Sequence, residues 1–145
     1  MSKIIIPDEW LIHDLKGDNG ERRQKEAFTF LERLYAKCDK LAILDGSPFL
    51  CKFYKLLMKD FRPRIREISK VFNLRIIRNA DKCIKLPIAN ELPESLKKVI
   101  PEDDQYLYRI QQTLRKGIIV TTDEKNLRNL PNTVTRKKFL EEYNS

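Results

Sequence analysis

Short runs of consecutive apolar residues alternate along this chain with longer stretches in which apolar residues recur every three or four positions. Lys3–Ile6, Leu41–Leu44, Leu74–Ile77 and Ile118–Thr121 are the short runs, and each reads as a strand buried on both faces. The stretch from Asp8 to about Leu15 reads as a short helix, and Gly17-Asp-Asn-Gly20 as a loop. Over Glu21–Cys38 a single stripe of Ala27, Phe28, Leu31, Leu34, Tyr35 and Cys38 predicts an amphipathic helix. Ser47 and Pro48 form a helix start, with serine as cap and proline at the first helical position. Leu50, Phe53, Tyr54 and Leu57 carry that helix onward, and Pro63 opens another with Ile65, Ile68 and Phe72 on one face.

Asp81–Leu86 is readable either as a short strand or as a loop. Pro87, Pro93 and Pro101 break the next stretch, leaving room for a helical turn or two over Glu94–Val99. Pro101-Glu-Asp-Asp104 then reads as an acidic helix start, with Leu107, Ile110 and Leu114 as its apolar face and Gly117 as its end. Asp123 opens a short helix or turn to Leu130. Thr133–Val134 is a candidate fifth strand, and Arg136–Tyr143 a closing helix. Alternating strands and helices, with apolar strands, predict one α/β domain over residues 1–145. Its centre is a mainly parallel sheet of four to five strands between helical layers.

Composition narrows the chemistry. With 145 residues, 41% hydrophobic content and a mean hydropathy of −0.52, the chain is expected to be a soluble globular protein with one core. It lacks the roughly 18 apolar residues of a membrane span. The opening residues hold three consecutive apolar positions, short of the roughly 7–15 of a secretory leader, so a cytoplasmic location is expected. Cys38, Cys51 and Cys83 have neither metal-ligand spacing nor an even count, and His13 is the sole histidine. A zinc site and a disulfide framework are therefore not expected. No nucleophile elbow and no glycine-rich phosphate loop occurs.

The net charge is +8. Residues 62–85 hold eight basic side chains, among them Arg62, Arg64, Arg66, Lys70, Arg75 and Arg78, against only Glu67 and Asp81, and so carry +6 of that total. Such a window is either a solvated face or a polyanion contact, and nucleic acid is the commonest polyanion.

In open α/β sheets ligands bind beyond the carboxyl ends of the strands. Asp8 follows the first predicted strand, Asp45 the second and Asp123 the fourth, while Asp104 starts the helix that leads into the fourth. Each acid by itself could be a helix cap or a first-turn acid that complements the helix dipole. Together at one edge, without histidine or thiolate, they make a hard-oxygen set suited to Mg²⁺ or Mn²⁺.

Three blocks carry a family resemblance. Asp104, the amphipathic helix after it and Gly117-Ile-Ile-Val-Thr-Thr-Asp123 resemble the core of the PIN domain. Ile4-Ile-Ile-Pro-Asp8 is similar to that family's opening strand and first aspartate, and Val134–Tyr143 to its closing strand and helix. The resemblance implies an α/β/α sandwich that hydrolyses single-stranded RNA with Mg²⁺ or Mn²⁺ held by Asp8, Asp104 and Asp123, with Asp103 or Asp45 assisting. It also implies a protein antitoxin or a second copy of the chain as partner. Two positions depart from the pattern: Pro7 separates strand from aspartate, and residues 46–59 contain no acid where the family places a glutamate. A PIN-like module that binds RNA or protein without cutting, and an α/β interaction protein with no nucleic-acid role, are the alternatives.

Overall fold

The computed structural model describes residues 2–145. Five parallel strands form one sheet in the order β3-β2-β1-β4-β5: β1 Ile4–Pro7, β2 Lys40–Leu44, β3 Cys83–Leu86, β4 Ile118–Thr121 and β5 Thr133–Thr135. Eight α-helices surround it: α1 Trp10–Lys16, α2 Glu21–Ala36, α3 Pro48–Lys59, α4 Pro63–Phe72, α5 Glu94–Lys97, α6 Gln105–Leu114, α7 Glu124–Asn129 and α8 Arg136–Tyr143. Right-handed crossovers put the β1-to-β2 and β2-to-β3 helices on one face and the β3-to-β4 connection on the other. There α6 packs across β1, β2 and β4. The result is the expected α/β/α sandwich, with a wholly parallel sheet. No helix among the described residues is long and apolar enough to cross a membrane.

The local signals explain most elements. Ser47 Oγ accepts the Leu50 N–H at 3.3 Å, and Pro48 occupies the first turn of α3. The three central strands are the three fully apolar runs, because each is covered on both faces: Ile5, Ile6, Leu41, Ile119 and Val120 are completely buried. Under α2 and α8, Phe30 packs against Trp10, Phe139 and Tyr143 with ring centroids 5.4–6.2 Å apart, within the usual range for aromatic pairs.

At the β3 edge one expectation is corrected and one open alternative is decided. Leu74–Ile77 is not a strand. Asn73–Ile77 continues α4 as a π-helical turn, with Ile76 and Ile77 buried and Leu74 70% exposed. An interior parallel strand would have buried Leu74 as well, so packing of the two isoleucines overrides their β propensity. The third strand is instead Cys83–Leu86, whose register pairs Leu41 with Cys83 and Leu44 with Leu86. As an edge strand it leaves Lys85 exposed, so no continuous apolar run marks it.

Pro7 belongs to β1, in register with Val120, and the next residue, Asp8, donates its N–H to the Val120 carbonyl at 3.0 Å. The missing proline N–H therefore leaves the ladder intact up to the aspartate. Gly117, at φ +122°, turns the chain into β4. A Cβ there would lie 2.8 Å from Cδ1 of the fully buried Ile6. Gly117→Ala is expected to cost about 1–3 kcal/mol through the positive φ and the overpacking together. Gly20→Ala, also at positive φ but with no atom within 4 Å of its Cβ, is expected to cost less in the same denaturant melts.

Candidate metal centre

The chain leaves β1 toward β2 and leaves β4 toward β5, so adjacent strands diverge and a crevice opens at their carboxyl ends. A cleft of about 480 Å³ lies there, and Asp8, Glu9, Asp104 and Asp123 all line it.

Asp8 is held most firmly. It is 6% exposed; its Oδ2 accepts the Thr121 hydroxyl at 2.8 Å and its Oδ1 the Glu9 N–H at 2.6 Å. The same Thr121 Oγ1 accepts the Asp123 N–H at 3.0 Å and the Asn126 amide at 3.3 Å. One threonine at the end of β4 thus joins the residue after β1 to the loop after β4. Trp10 closes the base of the cleft by donating its indole N–H to the Val120 carbonyl at 2.8 Å. Asp104 stands at the N-terminus of α6 without making a side-chain cap bond, so its carboxylate faces the cleft unengaged by its own helix.

Three acids converge. Carboxylate oxygens of Asp8, Glu9 and Asp104 lie within 4.8 Å of one another. Asp123 lines the same cleft outside that set, with its Oδ1 capping α7 through the Lys125 N–H at 2.7 Å. Burial first, and the neighbouring Asp8 charge second, raise Asp104 from the ordinary 3.8 to about 6. Burial likewise raises Asp8, against the pull of its hydrogen bonds from Glu9 and Thr121. Both shifts mark a site where negative charge is under-compensated. Two buried polar atoms beside it have no partner, the Tyr106 hydroxyl and Asn126 Oδ1. Tyr106 is close enough for the charges of Asp8, Glu9 and Asp104 to add to the burial that raises its hydroxyl.

Glu9 was not singled out from the sequence, where it is only the neighbour of Asp8. Its carboxylate reaches the cluster because β1 ends and α1 begins within three residues, which turns both side chains to one side. It also pairs with Lys52 of α3 at 2.9 Å. Lys52 lies 3.3 Å from His13 Nε2, and His13 Nδ1 lies 3.1 Å from Asp18. His13 thus links Lys52 of α3 to Asp18 of the following loop.

The other sequence candidates lie elsewhere. Asp45 pairs with Lys85 at 3.6 Å outside the cleft, and Asp103 is exposed on the turn before α6. Arg62 is bound to Asp60 at 2.6 Å. Arg64, Arg66 and Arg75 sit 6.0, 5.9 and 5.7 Å from the rings of Phe28, Phe61 and Tyr35. Lys70 and Arg78 are exposed away from the cleft lining. Arg78 and Lys82 precede β3 and so stand at the amino edge of the parallel sheet, opposite the acids. The basic side chains nearest the acids are Arg23 and Lys52.

Comparison with models of known protein families, with curated proteins and with solved structures finds no match to this chain.

Proposed function

We propose that this chain is a metal-dependent ribonuclease, PIN-like in its chemistry, that cuts single-stranded RNA at the cleft of Asp8, Glu9, Asp104 and Asp123. The observation that carries this reading is the convergence of three carboxylates within 4.8 Å at the carboxyl ends of β1 and β4. Like charges that close are costly without a cation. A donor set of oxygens alone, with no thiolate or imidazole in the cluster, fits Mg²⁺ or Mn²⁺. The unpartnered Asn126 Oδ1 adds a further hard oxygen beside the set.

Glu9 answers the departure on α3. The resemblance asks for a fourth acid from that helix, where residues 46–59 have none. Here the acid comes from the end of β1 and the helix supplies Lys52 as its counter-charge.

A divalent ion held by Asp8, Glu9 and Asp104 would supply positive charge for a phosphate oxygen and acidify water for phosphodiester hydrolysis. The chain's own residues do the rest. Thr121 fixes the Asp8 carboxylate, so little reorganisation is needed when charge develops. Asp104 must give up its proton to hold a cation, so Mn²⁺ uptake by the metal-free chain is expected to tighten as pH rises through about 6. Lys52, 2.9 Å from Glu9, offers an ammonium to a phosphate oxygen.

The test is a cleavage assay on single-stranded RNA with Mn²⁺, with EDTA and with Asp8→Asn. Cleavage that needs the ion and falls by orders of magnitude in the variant is expected. Asp18→Asn, which lines the cleft but lies outside the acid cluster, is expected to cut normally. Cleavage that persists in EDTA would remove the metallonuclease reading. Divalent-ion binding without any cleavage would favour a PIN-like module that binds RNA and does not cut it.

A further inference from the structure

Next to the acidic cleft, and sharing His13 as a wall, a second groove of about 430 Å³ runs between α1 and α3. Lys16, Lys52, Lys55 and Lys59 line it, and Phe61 lies at its far end, 74% exposed. We propose that this groove is the phosphate track of the chain: it holds the backbone of a single-stranded nucleic acid as the strand enters the carboxylate cleft. The placement rests on reading that cleft as a nuclease centre.

Two of the groove's four lysines are free to serve. Lys52, Lys55 and Lys59 follow at helical spacing, which sets them on one face of α3 over about 10 Å, the rise of about three stacked nucleotides. Asp60 is the one acid lining the groove, and Arg62 binds it at 2.6 Å. Lys16 and Lys52 are paired with Asp18 and Glu9 at its cleft end. Lys55 and Lys59 are exposed, and among the described residues neither has a carboxylate within 4.0 Å. The two uncompensated ammonium groups of Lys55 and Lys59 make that stretch of the groove attractive to an anion.

The exposed Phe61 ring adds what a purely electrostatic surface lacks. A basic groove that tracks the backbone, with an aromatic face on which a base can stack, is how single strands are held without sequence readout. Continuity with the cleft gives the track a direction: phosphates bound by Lys59 and Lys55 lead past Lys52 and His13 to Asp8 and Glu9. It also gives the acid-free face of α3 a use. A carboxylate among Lys52, Lys55 and Lys59 would repel the incoming strand.

Of the basic residues 62–85, Arg62 holds Asp60 and Arg66 lies over Phe61 at the groove, whereas Arg64, Arg75 and Lys82 are engaged elsewhere. Arg64 and Arg75 lie over aromatic rings of α2, and Lys82 reaches the Leu34 and Lys37 carbonyls. They brace α4 and its π turn against α2, away from the cleft.

The experiment measures binding of a short fluorescent single-stranded RNA to the full chain by anisotropy, in EDTA, over a series of salt concentrations. The variant Lys55→Gln/Lys59→Gln is expected to bind at least tenfold more weakly and to flatten the slope of log affinity against log salt by about 1.4, for two lost phosphate contacts on a single strand. Arg64→Gln/Arg75→Gln is expected to bind as wild type does, and Phe61→Ala to weaken binding without changing the slope. Equal affinity and slope in the lysine variant, a loss confined to the arginine variant, or a wild type that binds no RNA at low salt would each overturn the proposal. The metal centre is not read in EDTA. Groove-dependent binding by a chain that never cuts would therefore sink the nuclease reading alone. Metal-dependent cutting indifferent to Lys55 and Lys59 would sink the groove alone.

Discussion

Asp104→Asn is expected to abolish metal-dependent RNA cleavage, by a thousandfold or more, and at the same time to make the metal-free protein harder to unfold at neutral pH. A thousandfold is about 4 kcal/mol of transition-state stabilisation, the scale expected when one carboxylate of a small hard-oxygen set becomes an amide. The gain in stability follows from the same carboxylate. Burial and the Asp8 charge raise Asp104 from 3.8 to about 6 in the folded chain, so the folded state holds that proton more tightly than the unfolded state does. The stabilisation this brings is fully present below about pH 4 and is lost as pH rises through about 6. At pH 7 the ionised group strains the fold, and asparagine removes the strain. Asp104 is only half-buried, so solvent screening reduces the effect to on the order of 1–2 kcal/mol. Because Asp104 makes no side-chain cap bond to α6, the amide forfeits no cap. Denaturant melts in EDTA at pH 4 and pH 7 read the stability, and a cleavage time course with Mn²⁺ reads the activity. A variant that cuts RNA normally, or melts lower than wild type at pH 7, contradicts this account of the site.

The second large effect is structural. Asp14, completely buried on α1, pairs with Arg136 of α8 at 2.6 Å, and Arg136 reaches Glu26 of α2 at 3.1 Å while lying over the Trp10 ring. Asp14 also accepts the Asn19 amide at 2.8 Å, which ties down the loop on the cleft's other wall. Asp14→Ala leaves a guanidinium 7% exposed with only the half-buried Glu26 for company, and breaking such a pair costs about 3–5 kcal/mol. For a chain of this length that is a melting temperature lower by about 10 °C or more. The double variant Asp14→Ala/Arg136→Met removes the buried charge as well and is expected to recover most of the loss. A single variant that costs under about 1 kcal/mol would show that the pair carries little of the α1–α8 packing.

What the chain order reveals of this molecule follows from where each residue is buried. β1, β2 and β4 are interior strands covered on both faces, and their apolar runs stand out. β3 is an edge strand with Lys85 outward, and its pattern is weak, while the Leu-Arg-Ile-Ile run before it imitates a strand and folds as a π turn. Asp8, Asp104 and Asp123 are visible because topology alone sends the ends of β1 and β4 and the start of α6 to one edge. Glu9 is not visible that way. Its role depends on how sharply β1 breaks into α1, and the adjacent Asp8-Glu9 pair at a strand end is the one signal that points to it. Asn126 is similarly hidden, three residues into the turn after Asp123. Charge density along the chain misleads more than spacing does. Residues 62–85 hold the most basic groups, yet most of these face rings, carbonyls or the carboxylates of Asp60 and Asp45. Lys52, Lys55 and Lys59, readable as one helical face, stand beside the acids.

The most direct test of the central claim is a crystal of the wild-type chain soaked in Mn²⁺ and measured for anomalous scattering. A peak is expected in the cleft at roughly 2.0–2.6 Å from oxygens of Asp8 and Asp104, with Glu9 or Asp123 completing the set, and no such peak in Asp8→Asn. An ordered cleft with no peak at saturating Mn²⁺, or a peak that persists unchanged in Asp8→Asn, would contradict that claim.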